Sequence, residues 1–202
     1  MPRLAGQIDV SKNEAILDAA VEVFAERGIA ASVEEIARRA CVSKQTVYNH
    51  YGAKADLVRA VMDRRVHEIT ASLDTPTAVE HPEEALAEFG RVLLQAVMRP
   101  QGPAFMRMAI LGVGEMPEVA AAIYEAGARA SRRRLAAFLE LETKAGRLSC
   151  PDPLQAAEFF AGMVLGSHQT ATLLGVDPKL DEARIDGIAV EAAARFLRAY
   201  TP

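Results

Sequence analysis

The stretch Ser32-Val33-Glu34-Glu35-Ile36-Ala37-Arg38-Arg39-Ala40-Cys41-Val42-Ser43-Lys44-Gln45-Thr46-Val47-Tyr48-Asn49-His50-Tyr51 decides how this chain is read. It divides into two short helices joined by a tight turn. Ser32 is an N-cap residue with an acid, Glu35, three positions on. Ser43 caps the second helix after the turn at Cys41-Val42. Ile36, Ala37, Ala40, Val42, Val47 and Tyr51 form an inward set, and Ala37 suits two helices that cross steeply. The outward set is Lys44, Gln45, Thr46, Asn49 and His50. Such side chains suit a helix laid in the major groove of DNA. Lys binds guanine O6/N7, Gln and Asn pair with adenine, and Thr meets a thymine methyl or a phosphate. Tyr48, His50 and Lys54 are placed for phosphates, which set register, and Ser32 opens a helix whose first N–H groups suit another phosphate.

The composition agrees. Half of the 202 residues are hydrophobic, Trp is absent, and Ala and Leu dominate, which favours an all-α protein with a sizeable core. Two cysteines, Cys41 and Cys150, make no disulfide framework and suit a reducing cytoplasm. No segment is apolar enough for a membrane span or a signal peptide. The net charge of −4 argues against a general polyanion binder. Its distribution matters more. Residues 1–64 balance at nine basic and nine acidic, whereas the remainder carries fourteen basic and eighteen acidic. Between Glu35 and Asp56 no acid occurs, yet Arg38, Arg39, Lys44 and Lys54 do. A local basic patch on an acidic body fits a specific, salt-sensitive DNA contact.

Taken in order, residues 1–10 read as a loose arm. A helix starts at Ser11, with Glu14 completing a capping box, and stops at Gly28. The two short helices follow. A longer one, about 20 residues or roughly 30 Å, runs from Ala53 to about Ser72. The next opens at His81-Pro82 and ends near Arg99. The segment 103–111 is followed by a helix spanning 117–144, with the run Arg132-Arg133-Arg134 on its exposed side. Another starts at Asp152-Pro153 and continues to Gly175. The last covers 181–200. The count is about nine helices, and there is no internal repeat. The division is residues 1–52, an N-terminal three-helix head for DNA, and residues 53–202, a C-terminal helical body for ligand binding and dimerisation.

The stretch from Ile16 through Leu57 resembles the N-terminal domain of the TetR (tetracycline repressor) family. The resemblance rests on Phe24 and Gly28, on Ser32-Val33-Glu34-Glu35-Ile36-Ala37, on Val42 through Tyr51, and on Gly52-Ala53-Lys54-Ala55-Asp56-Leu57. It covers about a quarter of the chain. The family usually has Gly where this chain has Cys41, and a non-Gly residue in a left-handed turn costs about 1 kcal/mol. The C-terminal half is weakly similar to AefR-like members. The resemblance implies an all-helical homodimer, usually a repressor of a palindromic operator in double-stranded DNA. It also implies a small-molecule effector in the C-terminal body that moves the two heads apart.

Other candidates divide between functional and plain structural readings. Met98, Phe105, Met106, Met108, Phe159, Phe160 and Met163 serve either an apolar effector pocket or core packing, and His168 either a ligand or an interface. Gly162 and Gly166, four apart, with Ile188, Ala192 and Phe196, suit either a four-helix dimer interface or packing within the chain. Arg132-Arg133-Arg134 reads as a solvated face and Cys41 as a buried small residue. Ser167-His168 lies on one helix with its side chains about 100° apart. Gly112-Val113-Gly114 follows no strand and makes no dinucleotide fingerprint. No metal spacing and no catalytic constellation are found, so the reading is a regulator without cofactor rather than an enzyme.

Overall fold

The computed structural model describes residues 10–202, so the arm expected at the N-terminus lies, apart from Val10, outside the described residues. Among the described residues every regular element is helical. The described residues form two compact units, residues 10–64 with 104–127 and residues 65–103 with 128–202. The first therefore extends past residue 52 and takes in a second, distant stretch of chain.

The first unit holds α1 (Val10–Arg27), α2 (Val33–Arg39), α3 (Lys44–Tyr51) and the first part of α4 (Lys54–Thr70). α1 already includes Val10, one residue before the start expected at Ser11. Gly28 ends it at φ +57°, a conformation that glycine adopts without a Cβ penalty. Ser32 caps α2 by accepting from the Glu35 N–H at 3.2 Å, and Ser43 caps α3 by accepting from the Thr46 N–H at 3.0 Å. Ile16, Val23, Phe24, Ile36, Ala37, Val47, Leu57 and Val58 bury together. Tyr51 is half-buried and donates its phenol to Asn13 Oδ1 at 2.5 Å. Burial, and then the nearby Glu14 carboxylate, push its pKa up to about 12. The unit is completed by most of α7 (Gln101–Gly112) and by α8 (Pro117–Ile123), which bring Phe105, Met108, Val119 and Ile123 into the same core. Phe105 meets Phe24 edge to face, with centroids 5.8 Å apart.

The turn between α2 and α3 is closed by Val42 N–H donating to Ala37 O at 2.9 Å. It holds Cys41 at φ +54°, and Cys41 is exposed rather than buried. The left-handed strain is therefore present and brings no packing in return. Cys41→Gly is expected to raise unfolding free energy by roughly 1 kcal/mol, read as a higher urea midpoint. A lower midpoint would mean that the thiol makes an energetic contact.

The second unit holds the end of α4, the short α5 (Pro76–Glu80), α6 (Pro82–Met98), α9 (Ala130–Lys144), α10 (Pro153–Leu165), α11 (His168–Leu173) and α12 (Glu182–Tyr200). α6 lies along α12, and α9 along α10. Phe160 is fully buried between Phe89, 6.0 Å away, and Phe196, 5.2 Å away. Gly90 lets α6 approach closely: a Cβ there would stand 3.1 Å from Val164 and 3.5 Å from Ala189. Asp152 and Asp181 cap α10 and α12 through the N–H groups of Gln155 and Arg184. Glu142 is wholly buried and accepts from Arg147 Nε at 2.6 Å and Nη2 at 2.8 Å.

Three readings change here. The run expected as one helix over 117–144 is interrupted by a π-helical turn at Tyr124–Arg129. The wider turn shifts the phase of the buried stripe, which passes from Val119, Ala122 and Ile123 to Leu135, Phe138 and Leu139. The Arg run is not wholly solvated: Arg132 is buried beside Ser131, 3.8 Å from Glu158, while Arg133 and Arg134 are exposed. The helix expected from Asp152 to Gly175 breaks at Gly166, whose φ of +45° ends α10 before α11 begins. Gly162 and Gly166 are thus not two steps of one continuous helix face.

Candidate nucleic-acid interface

α3 offers Lys44, Gln45, Tyr48, Asn49 and His50 to solvent, while Val47 is buried at its back. Thr46 is partly covered, its hydroxyl 2.8 Å from Ser43 Oγ. The exposed groups are held in place by one another. Gln45 Nε2 donates to Asn49 Oδ1 at 2.5 Å, an i,i+4 pair along the face. The Lys44 ammonium pairs with Glu34 of α2 and lies 5.5 Å from the Tyr48 ring. The Glu34 carboxyl is held below the usual carboxylate range by Lys44 and by its own backbone N–H. The His50 ring stands edge-on to Tyr51 at 4.5 Å. Such preordering lowers the side-chain entropy lost when a groove is filled.

The flanking residues behave differently. Ser32 is exposed at the start of α2 with its hydroxyl on the Glu35 N–H. Lys54 is partly buried, its ammonium 4.0 Å from Met116 Sδ and 5.9 Å from the Phe24 ring centroid, and burial lowers its pKa. Arg39 is drawn away from the basic window, bound by both oxygens of Glu26 at 2.6 and 2.8 Å. Arg38 of the same helix is exposed. Local sequence pattern does not mark Glu34 as a functional residue. Its pairing spans ten positions and depends on how α2 crosses α3, which no local pattern reports.

The expected effector residues divide between the two units. Phe105 and Met108 lie in the core of the first unit, and Met106 is partly buried there. In the second unit Phe160 is core, Met98 packs partly buried at 3.4 Å from the Thr172 hydroxyl, and His168 begins α11, partly buried. Phe159 and Met163 point outward, 54% and 44% exposed. Of the residues expected at an interface, Gly162 and Gly166 are exposed and Ile188 partly so. Ala192 and Phe196 face inward into their own chain's core, the result of the α12 stripe that also buries Ile185 and Ala189.

Comparison with known proteins now bears on this geometry. Residues 16–61 match the family model of bacterial regulatory proteins of the tetR family, and residues 84–202 match that of the AefR-like transcriptional repressor C-terminal domain. The HTH-type transcriptional repressor Rv3405c of Mycobacterium tuberculosis is 42% identical over 85 residues, which are 42% of this chain and 45% of that protein. The HTH-type transcriptional regulator SrpR of Pseudomonas putida is 33% identical over 96 residues, 47% of this chain and 44% of that protein. The chain thus spans less than half the length of these curated relatives. Solved structures match along their whole length. A TetR-family transcriptional regulator from Mesorhizobium loti superposes with a TM-score of 0.77 at 26% identity, covering 96% of this chain and 98% of that one. The flavonoid-responsive regulator FrrA superposes with a TM-score of 0.71 at 32% identity, covering 96% and 99%.

Proposed function

The chain belongs to the TetR family of bacterial transcriptional regulators, and from that premise we propose that it is a ligand-responsive repressor that binds a palindromic operator as a homodimer through α3. The observation that carries the proposal is the exposed, mutually braced face of Lys44, Gln45, Tyr48 and Asn49 on a helix fixed from behind by buried Val47. Lys44 is assigned to guanine and Gln45 and Asn49 to adenine, with Thr46 on a thymine methyl or phosphate. Ser32, Ser43, Tyr48 and His50 are assigned to phosphates. Lys54 takes the same role only by moving its ammonium off Met116 and Phe24.

Repression is supported by the AefR-like repressor model over the C-terminal half and by the repressor of M. tuberculosis. Activation is the second reading, because the HTH-type transcriptional activator FasR of Mycolicibacterium smegmatis is 44% identical over 59 residues, 29% of this chain and 27% of that protein. Deleting the gene separates the two. Transcripts of the adjoining genes are expected to rise, and a fall would establish activation.

The dimer is proposed to form on the outer faces of α10 and α12, where Leu154, Phe159, Met163 and Val190 stay exposed around Gly162. Isolated exposed apolar residues are ordinary, but three on one helix of 13 residues ask for a partner. A symmetric dimer repeats the same patch on both copies. Phe159→Asp is expected to sediment as a monomer at concentrations where the parent is dimeric; an unchanged dimer would place the interface elsewhere.

The effector is proposed to be small and largely apolar, contacting Met98 and His168 in the second unit. The flavonoid-responsive character of FrrA supports an aromatic molecule. Its action requires differential affinity for the DNA-bound and released states. Among the described residues no helix is long and apolar enough to cross a membrane.

A further inference from the structure

We propose that Glu34 is a specificity-determining residue that holds Lys44 ready for base edges and keeps it off phosphates. The proposal rests on the reading of α3 as the DNA-reading helix. Glu34 lies in the first turn of α2 and Lys44 is the first residue of α3, and their side chains form an ion pair while about half exposed, 54% and 53%. Lys44 has a second hold 5.5 Å away in the Tyr48 ring. The pair is therefore part of the surface that would face DNA and not a brace behind it. Neighbouring acids are engaged elsewhere: Glu35 with Arg27 at 3.4 Å, Glu26 and Glu22 with Arg39.

The consequence follows from what DNA offers. Phosphate oxygens only accept hydrogen bonds, and so does a carboxylate. Laid against the backbone, the pair brings a cation that is already neutralised and an anion that is repelled. It releases no counterion, so it adds nothing to the salt-dependent attraction that dominates non-specific binding. The major-groove edge of a base pair sets acceptors beside donors: guanine O6 and N7 next to cytosine N4–H, or adenine N7 next to N6–H. There the ammonium and the carboxylate both find partners. Glu34 thus lowers affinity for arbitrary DNA more than affinity for the chosen site.

Four full-length proteins decide it: the parent, Glu34→Gln, Lys44→Ala and the double variant. Each is titrated against a random-sequence duplex of about 30 base pairs, three helical turns, and against the duplex that the parent enriches from a random pool. Salt is varied from about 50 to 200 mM. E34Q is expected to tighten binding to the random duplex about tenfold at the lowest salt and to steepen its salt slope by about two, one for each Lys44 of the dimer. Binding to the enriched duplex is expected to change less than about twofold, so the specificity ratio falls. In the Lys44→Ala background E34Q is expected to change neither affinity nor slope. The proposal is overturned if E34Q leaves the random duplex unaffected, if it tightens both duplexes equally, or if its effect persists without Lys44, which would make Glu34 a general surface charge. Those failures leave the parent selecting a sequence. A parent that enriches no duplex fails at the earlier step and overturns the DNA-reading assignment of α3 together with this one.

Discussion

Replacing Lys44, Thr46 and Tyr48 together with alanine lowers operator affinity by about a thousandfold or more without unfolding the head. The Lys44 contact to a base edge is worth about 1–3 kcal/mol, the contacts of Thr46 and Tyr48 add to it, and every 1.4 kcal/mol is tenfold in affinity. A dimer loses the contacts twice. The fold should survive because none of the three side chains belongs to the core: Lys44 and Tyr48 are exposed, and Thr46 is partly covered. Ser43 caps through the backbone N–H of Thr46, which alanine keeps. Val47, which anchors α3, is untouched. Binding by gel shift and melting by circular dichroism are measured on the same preparation. A folded triple variant that binds as the parent does would remove α3 from the interface.

Phe160→Ala is the most damaging single change expected in the second unit. Phe160 has no exposed surface and meets Phe89 and Phe196 at once, and Phe196 in turn stacks on Tyr200 at 4.6 Å. Truncating a buried Phe costs roughly 3–5 kcal/mol, part lost transfer and part unfilled cavity. That is a large fraction of the roughly 5–15 kcal/mol of a typical fold. Gly90 limits collapse into the cavity, because α6 is already close to Val164 and Ala189. The urea midpoint is expected to fall with an unchanged slope. A loss below about 1 kcal/mol would mean that the site repacks.

Much of the head was legible because its signals are local. Ser32 and Ser43 three residues before the N–H groups they cap, Gly28 where α1 stops, and the helical spacing of Ile36, Ala37 and Ala40 all act within a few positions. The same holds for Asp152 and Asp181. What was not legible depends on distant chain. Lys44 and Arg39 read as free cations until Glu34 and Glu26 are brought beside them by helix crossing. Lys54 reads as a surface lysine, but its neighbour Met116 is 62 positions away. Arg132 shares its run with two exposed arginines and is buried all the same, since helix phase and not composition sets its direction. Phe196 and Ala192 carry the apolar spacing of an interface, and that spacing is equally what a helix needs to bury against its own core. Phe159 and Met163 carry the composition of an apolar pocket and are exposed.

The most direct measurement is selection of duplexes from a random pool by the full-length protein, with the spacing of enriched positions as the readout. The account predicts an inverted repeat whose half-sites lie about one helical turn, 10 to 10.5 base pairs, apart, and whose enrichment disappears with the Lys44, Thr46 and Tyr48 alanine variant. A pool that emerges without sequence preference, or with a preference that survives that variant, would contradict it.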